Sequence, residues 1–434
     1  MLKYQTKGMV RPATNLLWLL IFSASLLLPS STLWAQSNLG QYTEEAPLGT
    51  WNIFGVNLAP SLGLGLNQSV LNLTSAASLT NPALLSFLPA TTLSLNLSFS
   101  QDQLAKYWLV NTGVLTTNGN LYCRNWQFDY LGISQRFGKW TVAMAVAVTE
   151  DYSRPKVDYR LIYQQTLYHQ LVLWQKGCQR NYVLGFSRNL NSSLAAGLSL
   201  VLRSGHIERN LEETWPVDGI QMTDNRYQKI RGFYVVFGLS YRVRDWLTLG
   251  LSLILPSVSK VSGQSQLTYK VPETQTNIEI LGQAQDRTKK PMVAGVGAKF
   301  SLRPNLDYYL EGTYFDWANY AFSYFGEPLE RNFRKVIRLG TGLEYRTRLK
   351  FLGRIWSTPY YLGFLWDPQP MTEVNSNYFY LTFGSGLSTD FISLSFSTAI
   401  GLETGSGQHL KNQKIAITLE LYPGAKKNRG RRTS

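Results

Sequence analysis

The sequence predicts an all-β fold: a transmembrane antiparallel β-barrel of about 14 strands with an N-terminal plug, or hatch, segment. Composition is the first observation behind it. Only 16% of the 434 residues are charged, yet the chain holds 25 Tyr, 20 Phe and 12 Trp. Mean hydropathy is slightly negative, at -0.13, and no helix-length apolar run follows the N-terminus. Outward apolar positions that alternate with polar inward ones, between aromatic girdles, produce this combination. Alternation is the second observation. In "TTLSLNLSFS" (91–100), Leu93, Leu95, Leu97 and Phe99 stand on one face, and Ser94, Asn96 and Ser98 on the other. The third is the parity of the connections. Every second one is short ("GK", "NLNS", "VRD", "RPN", "STD"), apart from a longer one around 348–357, while the others, at 151–179, 207–228 and 259–290, are long and polar. Short turns on one side and long loops on the other are the periplasmic and extracellular sides of an outer-membrane barrel.

The elements follow in order. Residues 1–35 form a signal peptide: Lys3, Lys7 and Arg11 precede the apolar "LLWLLIFSASLLL", Pro29 breaks it, and cleavage is expected near Ala35. No Cys stands at the cleavage point, which argues against a lipoprotein. Residues 36–89 do not alternate. They are rich in Leu, Gly and Ser, with short helices expected near 69–80 and 82–87, and they are long enough to fill the lumen of a barrel of this size. The barrel, 90–422, is expected to comprise strands near 91–101, 125–137, 140–152, 180–188, 194–207, 229–243 and 246–258. It continues with 289–302, 306–318, 334–346, 358–366, 376–387, 390–402 and 412–422. An even number places both ends on one side. Residues 423–434 form a basic tail.

The hairpins resemble one another. Each has a glycine early in its first strand, Gly132, Gly185, Gly238 and Gly297, at a spacing of about fifty residues. Gly342 and Gly386 extend the series. In "LAAGLSLVL", Leu194, Ala196, Leu198, Leu200 and Leu202 oppose Ala195, Gly197, Ser199 and Val201; in "IAITLEL", Ile415, Ile417, Leu419 and Leu421 oppose Ala416, Thr418 and Glu420. The face rich in Gly, Ser and Thr belongs to a lumen, so the leucine face meets lipid. Closure is required because no strand edge can stay unpaired in hydrocarbon.

Alternation alone turns Arg203, Arg242, Lys299, Glu311, Arg338 and Glu344 inward. A ligand carboxylate would favour Arg203, Arg242, Lys299 and Arg338 through charge-assisted hydrogen bonds; the other reading is that these inward charges pair with one another. The net charge of +15 is scattered along the chain, with one cluster at the end, 426–432. That excludes a basic nucleic-acid-binding face and fits attraction to anionic lipid head groups. Cys123 and Cys178 sit in no CxxC pattern, so no metal site is expected; a disulfide between them is allowed after export. The three histidines, His169, His206 and His409, fall in or beside loops without a serine motif. Neither an enzyme nor any cofactor is expected.

From Ser78 to Ser100 the chain reads "SLTNPALLSFLPATTLSLNLSFS". Its Asn81, Pro82 and Ala83 resemble the hatch motif, and the following stretch the first strand, of FadL/TodX-type outer-membrane transporters of hydrophobic compounds. Leu84 stands where that motif has glycine. "YFDWANY" (314–320) followed by "KVIRLGTGLEYR" (335–346) looks like the later barrel of the same family. The resemblance implies a protein of the cell outer membrane that transports hydrophobic or amphipathic compounds, such as long-chain fatty acids, through a plugged barrel. An apolar molecule would be captured by extracellular loops, pass laterally or by diffusion to a pocket in the barrel, and leave when the hatch moves. The partners expected are a hydrophobic small-molecule ligand, membrane lipids and lipopolysaccharide, and the barrel-assembly machinery during biogenesis. PorV-like barrels that act as binding or assembly partners in protein secretion share a similar motif and strand count. A general porin is the third reading, and it requires an open, charged constriction.

Overall fold

Period-two alternation drives each segment into an extended strand with one apolar face, and the chain satisfies its backbone by pairing each strand with the next. The computed structural model describes residues 56–423, apart from 72–73, 104–114, 120–121, 322, 325–326, 329–332, 352, 371, 373–374 and 406–408. The expected signal peptide, the first part of the plug segment (36–55) and the basic tail from 424 onward lie outside the described residues.

Strands run as β1 (Thr91–Gln103), the short β2 (Leu115–Gly119), β3 (Tyr122–Phe137), β4 (Trp140–Asp151), β5 (Arg154–Tyr163), β6 (Thr166–Asn189) and β7 (Leu194–Trp215). Next come β8 (Ile220–Arg244), β9 (Leu247–Ile254), β10 (Ser257–Val271), β11 (Thr276–Lys290), β12 (Val293–Arg303) and β13 (Leu306–Phe315). A small pairing of β14 (Ser323–Tyr324) with β15 (Glu327–Pro328) precedes β16 (Val336–Phe351), β17 (Arg354–Pro368), β18 (Asn377–Ser388), β19 (Ile392–Thr404) and β20 (Lys411–Leu421). They make fourteen staves, each antiparallel to its neighbour in sequence. The circle closes where β1 pairs with β20, from Leu93 opposite Leu421 to Asp102 opposite Asn412. Two staves are interrupted side by side: β9 gives way to β10 at Pro256, and β11 to β12 at Pro291, where proline removes a ladder donor.

Faces follow the expected parity. Thr92, Ser94, Asn96 and Ser98 are buried inside, while Leu97 is exposed outside. On β7, Ala195, Ser199 and Val201 are buried inside and Leu200 and Leu202 are exposed outside. The outward belt spans about nine residues of a strand tilted near 40°, which gives roughly the 25 Å of a hydrocarbon layer. Exposed aromatics mark both rims: Phe137, Trp140, Tyr241 and Trp246 at the short-turn end, and Trp126, Phe128, Tyr182 and Phe233 at the other.

One expectation needs correction. The stretches 151–179, 207–228 and 259–290 are largely strand. β7 and β8 stay paired as far as Trp215 opposite Ile220, and β10 and β11 as far as Val271 opposite Thr276. Beyond the membrane both faces meet water, so the hydrophobic period disappears while the backbone ladder continues. His169 and His206 therefore lie on β6 and β7, against Trp215 and Tyr227 respectively.

Candidate functional site

Residues 56–90 pack against the inner wall. They form a short helix (Ala59–Gly63), a one-turn helix (Ala77–Thr80) and a 3-10 helix (Pro82–Phe87). The last begins where it was expected. Asn81 accepts from the Ala83 N–H at 3.2 Å, and Pro82 supplies the preset φ of a first helical position. Asn81 also donates through Nδ2 to the carbonyls of Ser69, 2.7 Å away, and Leu239, 3.0 Å away on β8. One buried side chain thus closes the turn, ties it to the preceding loop and ties both to the wall.

Further anchors surround this inner segment. Glu311 of β13 accepts from the N–H groups of Gln68 (2.6 Å) and Ser69 (2.7 Å). Thr382 of β18 accepts from the Gly65 N–H at 3.2 Å and donates to the Gly63 carbonyl at 3.0 Å. Arg136 of β3 donates to the carbonyls of Ser86 and Leu88, and Ser187 of β6 donates to the Ala83 carbonyl at 3.0 Å. On the closing seam, Thr418 accepts from the Ala59 N–H at 2.8 Å and donates to Asn96 at 2.6 Å.

Most of the periodic glycines find their meaning here. A Cβ on Gly238 would overlap Asn81 Oδ1 and lie 2.8 Å from Pro82 Cδ; one on Gly185 would lie 2.8 Å from Ser78 Cβ, and one on Gly342 2.7 Å from Leu64 Cα. Gly132 and Gly297 face Ser75 and Ser69 in the same way. Five of the six glycines of the series therefore seat the inner segment, whereas Gly386 meets Ser395 and Pro359 of the wall. Replacing Asn81 with Ala removes three hydrogen bonds, including the one to the buried Ser69 carbonyl. A loss of about 2–4 kcal/mol from the seating of this segment is expected, readable as faster proteolysis between 56 and 90 while the barrel stays folded.

On the long-loop side of this segment Val183, Val201, Ile230, Val236, Val261 and Val293 form a buried apolar cluster with Phe315, Trp317 and Tyr320. Set among them is a polar knot. The Glu150 carboxylate is bound by Lys290 Nζ at 2.8 and 3.0 Å, by the Tyr152 hydroxyl at 2.7 Å and by Gln179 Nε2 at 3.1 Å. Arg203 donates to Ser259 Oγ at 3.1 Å and lies 4.8 Å from the centre of the Tyr234 ring. Asn181 donates to the Tyr234 hydroxyl at 2.8 Å.

The ladder of the wall beside the knot is interrupted. β3 and β4 pair only from Phe137 opposite Trp140 to Tyr130 opposite Ala147. Pairing on that seam resumes where β2 meets β5, at Gly119 opposite Val157. Between these limits, among the described residues, no ladder joins the two sides; the bond from Asn125 Nδ2 to Asp151 Oδ2, 2.5 Å, crosses the gap. Two bulges frame it. Asp129 is the extra residue where β3 shifts register against β1, and Thr149 is the extra residue where β4 shifts against β6.

The residues singled out in the sequence separate into groups. Arg203 lies in the polar knot. Lys299 pairs with Asp307 at 2.9 Å near the short-turn end, where Arg346 binds the same carboxylate at 2.6 Å. Glu344 takes Arg346 (3.5 Å) and the Tyr309 hydroxyl (2.8 Å) as partners. Arg338 rests over the Phe315 ring at 5.1 Å, and Arg242 is exposed at the short-turn rim. Cys178 is a free thiol; β4 separates its strand from that of Cys123, whose side chain lies outside the described residues. Glu150, Tyr152, Gln179 and Lys290 escaped sequence reading. Strict alternation from Ala147 turns Glu150 outward, and only the bulge at Thr149 brings it in.

No family model matches the chain, and no curated protein matches it. Among solved structures it is similar to the toluene transporter TbuX of Ralstonia pickettii, at 14% identity over 86% of this chain and 98% of that one, with a TM-score of 0.59. It is similar also to a FadL homologue of Pseudomonas aeruginosa, at 12% identity over 85% and 99%, TM-score 0.60. The toluene transporter TodX of P. putida matches at 14% identity over 85% and 97%, TM-score 0.55. The full length of each of these chains is covered within a few per cent, and so this chain has the barrel fold of the FadL/TodX type.

Proposed function

We propose that this protein passes hydrophobic or amphipathic compounds, such as long-chain fatty acids or small aromatic hydrocarbons, across the outer membrane. One observation carries the reading: a cluster of buried apolar side chains inside the barrel, beside a break in the ladder between β3 and β4–β5. An apolar solute gains about 25 cal/mol for each Å² it buries, so a site formed among these valine and aromatic side chains would hold it against water. A break that begins at the upper aromatic rim, beside Phe128 and Trp126, lets the solute leave sideways toward hydrocarbon without crossing the aqueous periplasmic half of the barrel. The solved neighbours include proteins described as toluene transporters and a monoaromatic hydrocarbon channel.

In this reading, residues 36–89 are the hatch and Asn81, Pro82 and Ala83 its hinge against the wall. Arg203 is the polar anchor for a ligand head group, because it alone of Arg203, Arg242, Lys299 and Arg338 stands in the polar knot beside the gap. The described part of the inner segment is hydrogen-bonded to the wall inside the barrel, which favours this reading over a general porin.

The gap provides the test. Deleting Thr149 removes the extra residue of the bulge, keeps Glu150 inward and lets the β3–β4 ladder continue past Ala147. Uptake of radiolabelled toluene and of oleate by cells carrying this variant is expected to fall at least about tenfold, as for a step that has lost its exit. Its barrel should remain resistant to SDS at room temperature. Unchanged uptake of both compounds would sink the lateral route.

A further inference from the structure

The outer face of the barrel carries a row of cations. The pairing registers place Arg180 of β6 opposite Ser204 of β7, Ser204 opposite Arg231 of β8, Arg231 opposite Lys260 of β10, and Lys260 opposite Arg287 of β11. All five point the same way, outward, by the same parity that exposes Leu202 and Phe233. Arg180, Arg231, Lys260 and Arg287 are exposed. Neighbouring strands stand roughly 5 Å apart, so the last three are adjacent like charges across the sheet, an arrangement that destabilises a sheet unless something neutralises it.

The protein's own carboxylates do not neutralise it. None of the four cations takes part in an ion pair among the described residues. The outward carboxylates closest in register are occupied elsewhere: Glu208 pairs with Lys176 at 3.1 Å, and Asp151 accepts from Asn125. Lys229 and His206 stand one outward position further up, and Lys289 one further down. The last has Val258 opposite it, and along that lower level run Leu202 and Phe233, exposed and apolar, with Tyr182 beside them. On β8 this level is the upper rim of the hydrocarbon belt, where Phe233 stands eight residues from Tyr241 of the lower girdle.

We propose that this row is a binding site for an outer-leaflet anionic glycolipid, the phosphorylated disaccharide of lipopolysaccharide. Its phosphates are held by Arg180, Arg231, Lys260 and Arg287, and its acyl chains lie on Leu202, Phe233 and Val258. Adjacency selects a lipid. On one continuous outer face Arg180, Arg231 and Lys260 each have an exposed apolar side chain one outward position nearer the short-turn end: Tyr182, Phe233 and Val258. Arginine forks match phosphate oxygens two at a time, and Ser204 adds a hydroxyl within the row. The site lies outside the lumen and is independent of what the lumen carries. The stave of β6 links it to β4 and β5, which border the gap.

The test compares two variants of the full chain, purified from outer membranes. Arg231→Gln, Lys260→Gln and Arg287→Gln together remove the centre of the row. Lys139→Gln, Arg188→Gln and Arg303→Gln together remove as many exposed cations at the short-turn rim. Resistance to SDS at room temperature establishes that each is folded. Binding of bisphosphorylated lipid A in detergent, followed by native mass spectrometry, is expected to weaken roughly a hundredfold in the first variant. The rim variant should bind as the parent does. Lipid A stripped of phosphate should bind the parent no better than bulk phospholipid, and inorganic phosphate at the same concentration should not displace the intact lipid. Equal loss in both variants, undiminished binding by the first, or retention of the dephosphorylated lipid would each overturn the assignment. Displacement by inorganic phosphate would make the row a simple anion site.

Discussion

Gly238→Val is expected to unseat the inner segment. Its Cβ would overlap Asn81 Oδ1 and lie 2.8 and 2.9 Å from Pro82 Cδ and N. Neither neighbour can retreat cheaply. The Asn81 amide is held by two carbonyls, and Pro82 is fixed backbone at the start of the 3-10 helix. Overpacking of this kind costs about 1–3 kcal/mol before the lost Asn81 hydrogen bonds are added, and those contribute a similar amount again. The wall itself is a closed ladder and does not yield, so the segment moves. Planar-bilayer recordings should show conductance bursts that the parent lacks, and proteolysis between 56 and 90 should accelerate about tenfold or more. Gly312→Ala is the comparison. Its Cβ would meet only Leu339 Cδ2, at 3.5 Å on the outer face, and it should leave both readouts unchanged. A closed, protease-resistant Gly238→Val would show that the inner segment is not seated through this contact.

Lys290→Met is expected to destabilise the barrel by about 3–5 kcal/mol, because it strands a buried carboxylate. The side chains of Glu150 and Lys290 are 1% and 4% exposed. Tyr152 and Gln179 still donate to Glu150 in the variant, and Arg203 stands in the same cluster, so the loss belongs at the lower end of that range. Replacing both partners, Glu150→Gln with Lys290→Met, removes charge and counter-charge together. The double variant should recover most of the loss, since an apolar or neutral pair of similar volume serves a core as well as a buried ion pair. Urea unfolding in lipid vesicles, followed by tryptophan emission, measures all three proteins. A double variant as unstable as the single one would mean that Lys290 acts through packing rather than charge. Uptake should follow a different order. If the pair shapes the proposed ligand path beside the break in the ladder, the double variant regains stability without regaining full uptake.

The barrel was legible in the order of residues because its logic is local. A strand that meets lipid on one face and water or small polar groups on the other must alternate, and each hairpin carries its own copy of that pattern. Alternation therefore placed Leu93 to Phe99 outside and Thr418 and Glu420 inside, and the Asn-Pro pair at 81–82 announced the start of the 3-10 helix. The periodic glycines were visible too, although nothing in a single strand says what they face. The tertiary structure decided that. Gly132, Gly185, Gly238, Gly297 and Gly342 come together only when the sheet closes, and they stay small because the side chains and backbone of the inner segment lie against them. The gap, the polar knot and the outer cationic row are of the same kind. One extra residue at Asp129 and one at Thr149 break a ladder without disturbing hydropathy. Glu150 and Lys290 are 140 residues apart and on separate staves. Arg180, Arg231, Lys260 and Arg287 become a row only through the register of five strands. Periodicity specifies which way a side chain points; which side chains then meet is set by register and closure, and those belong to the whole sheet.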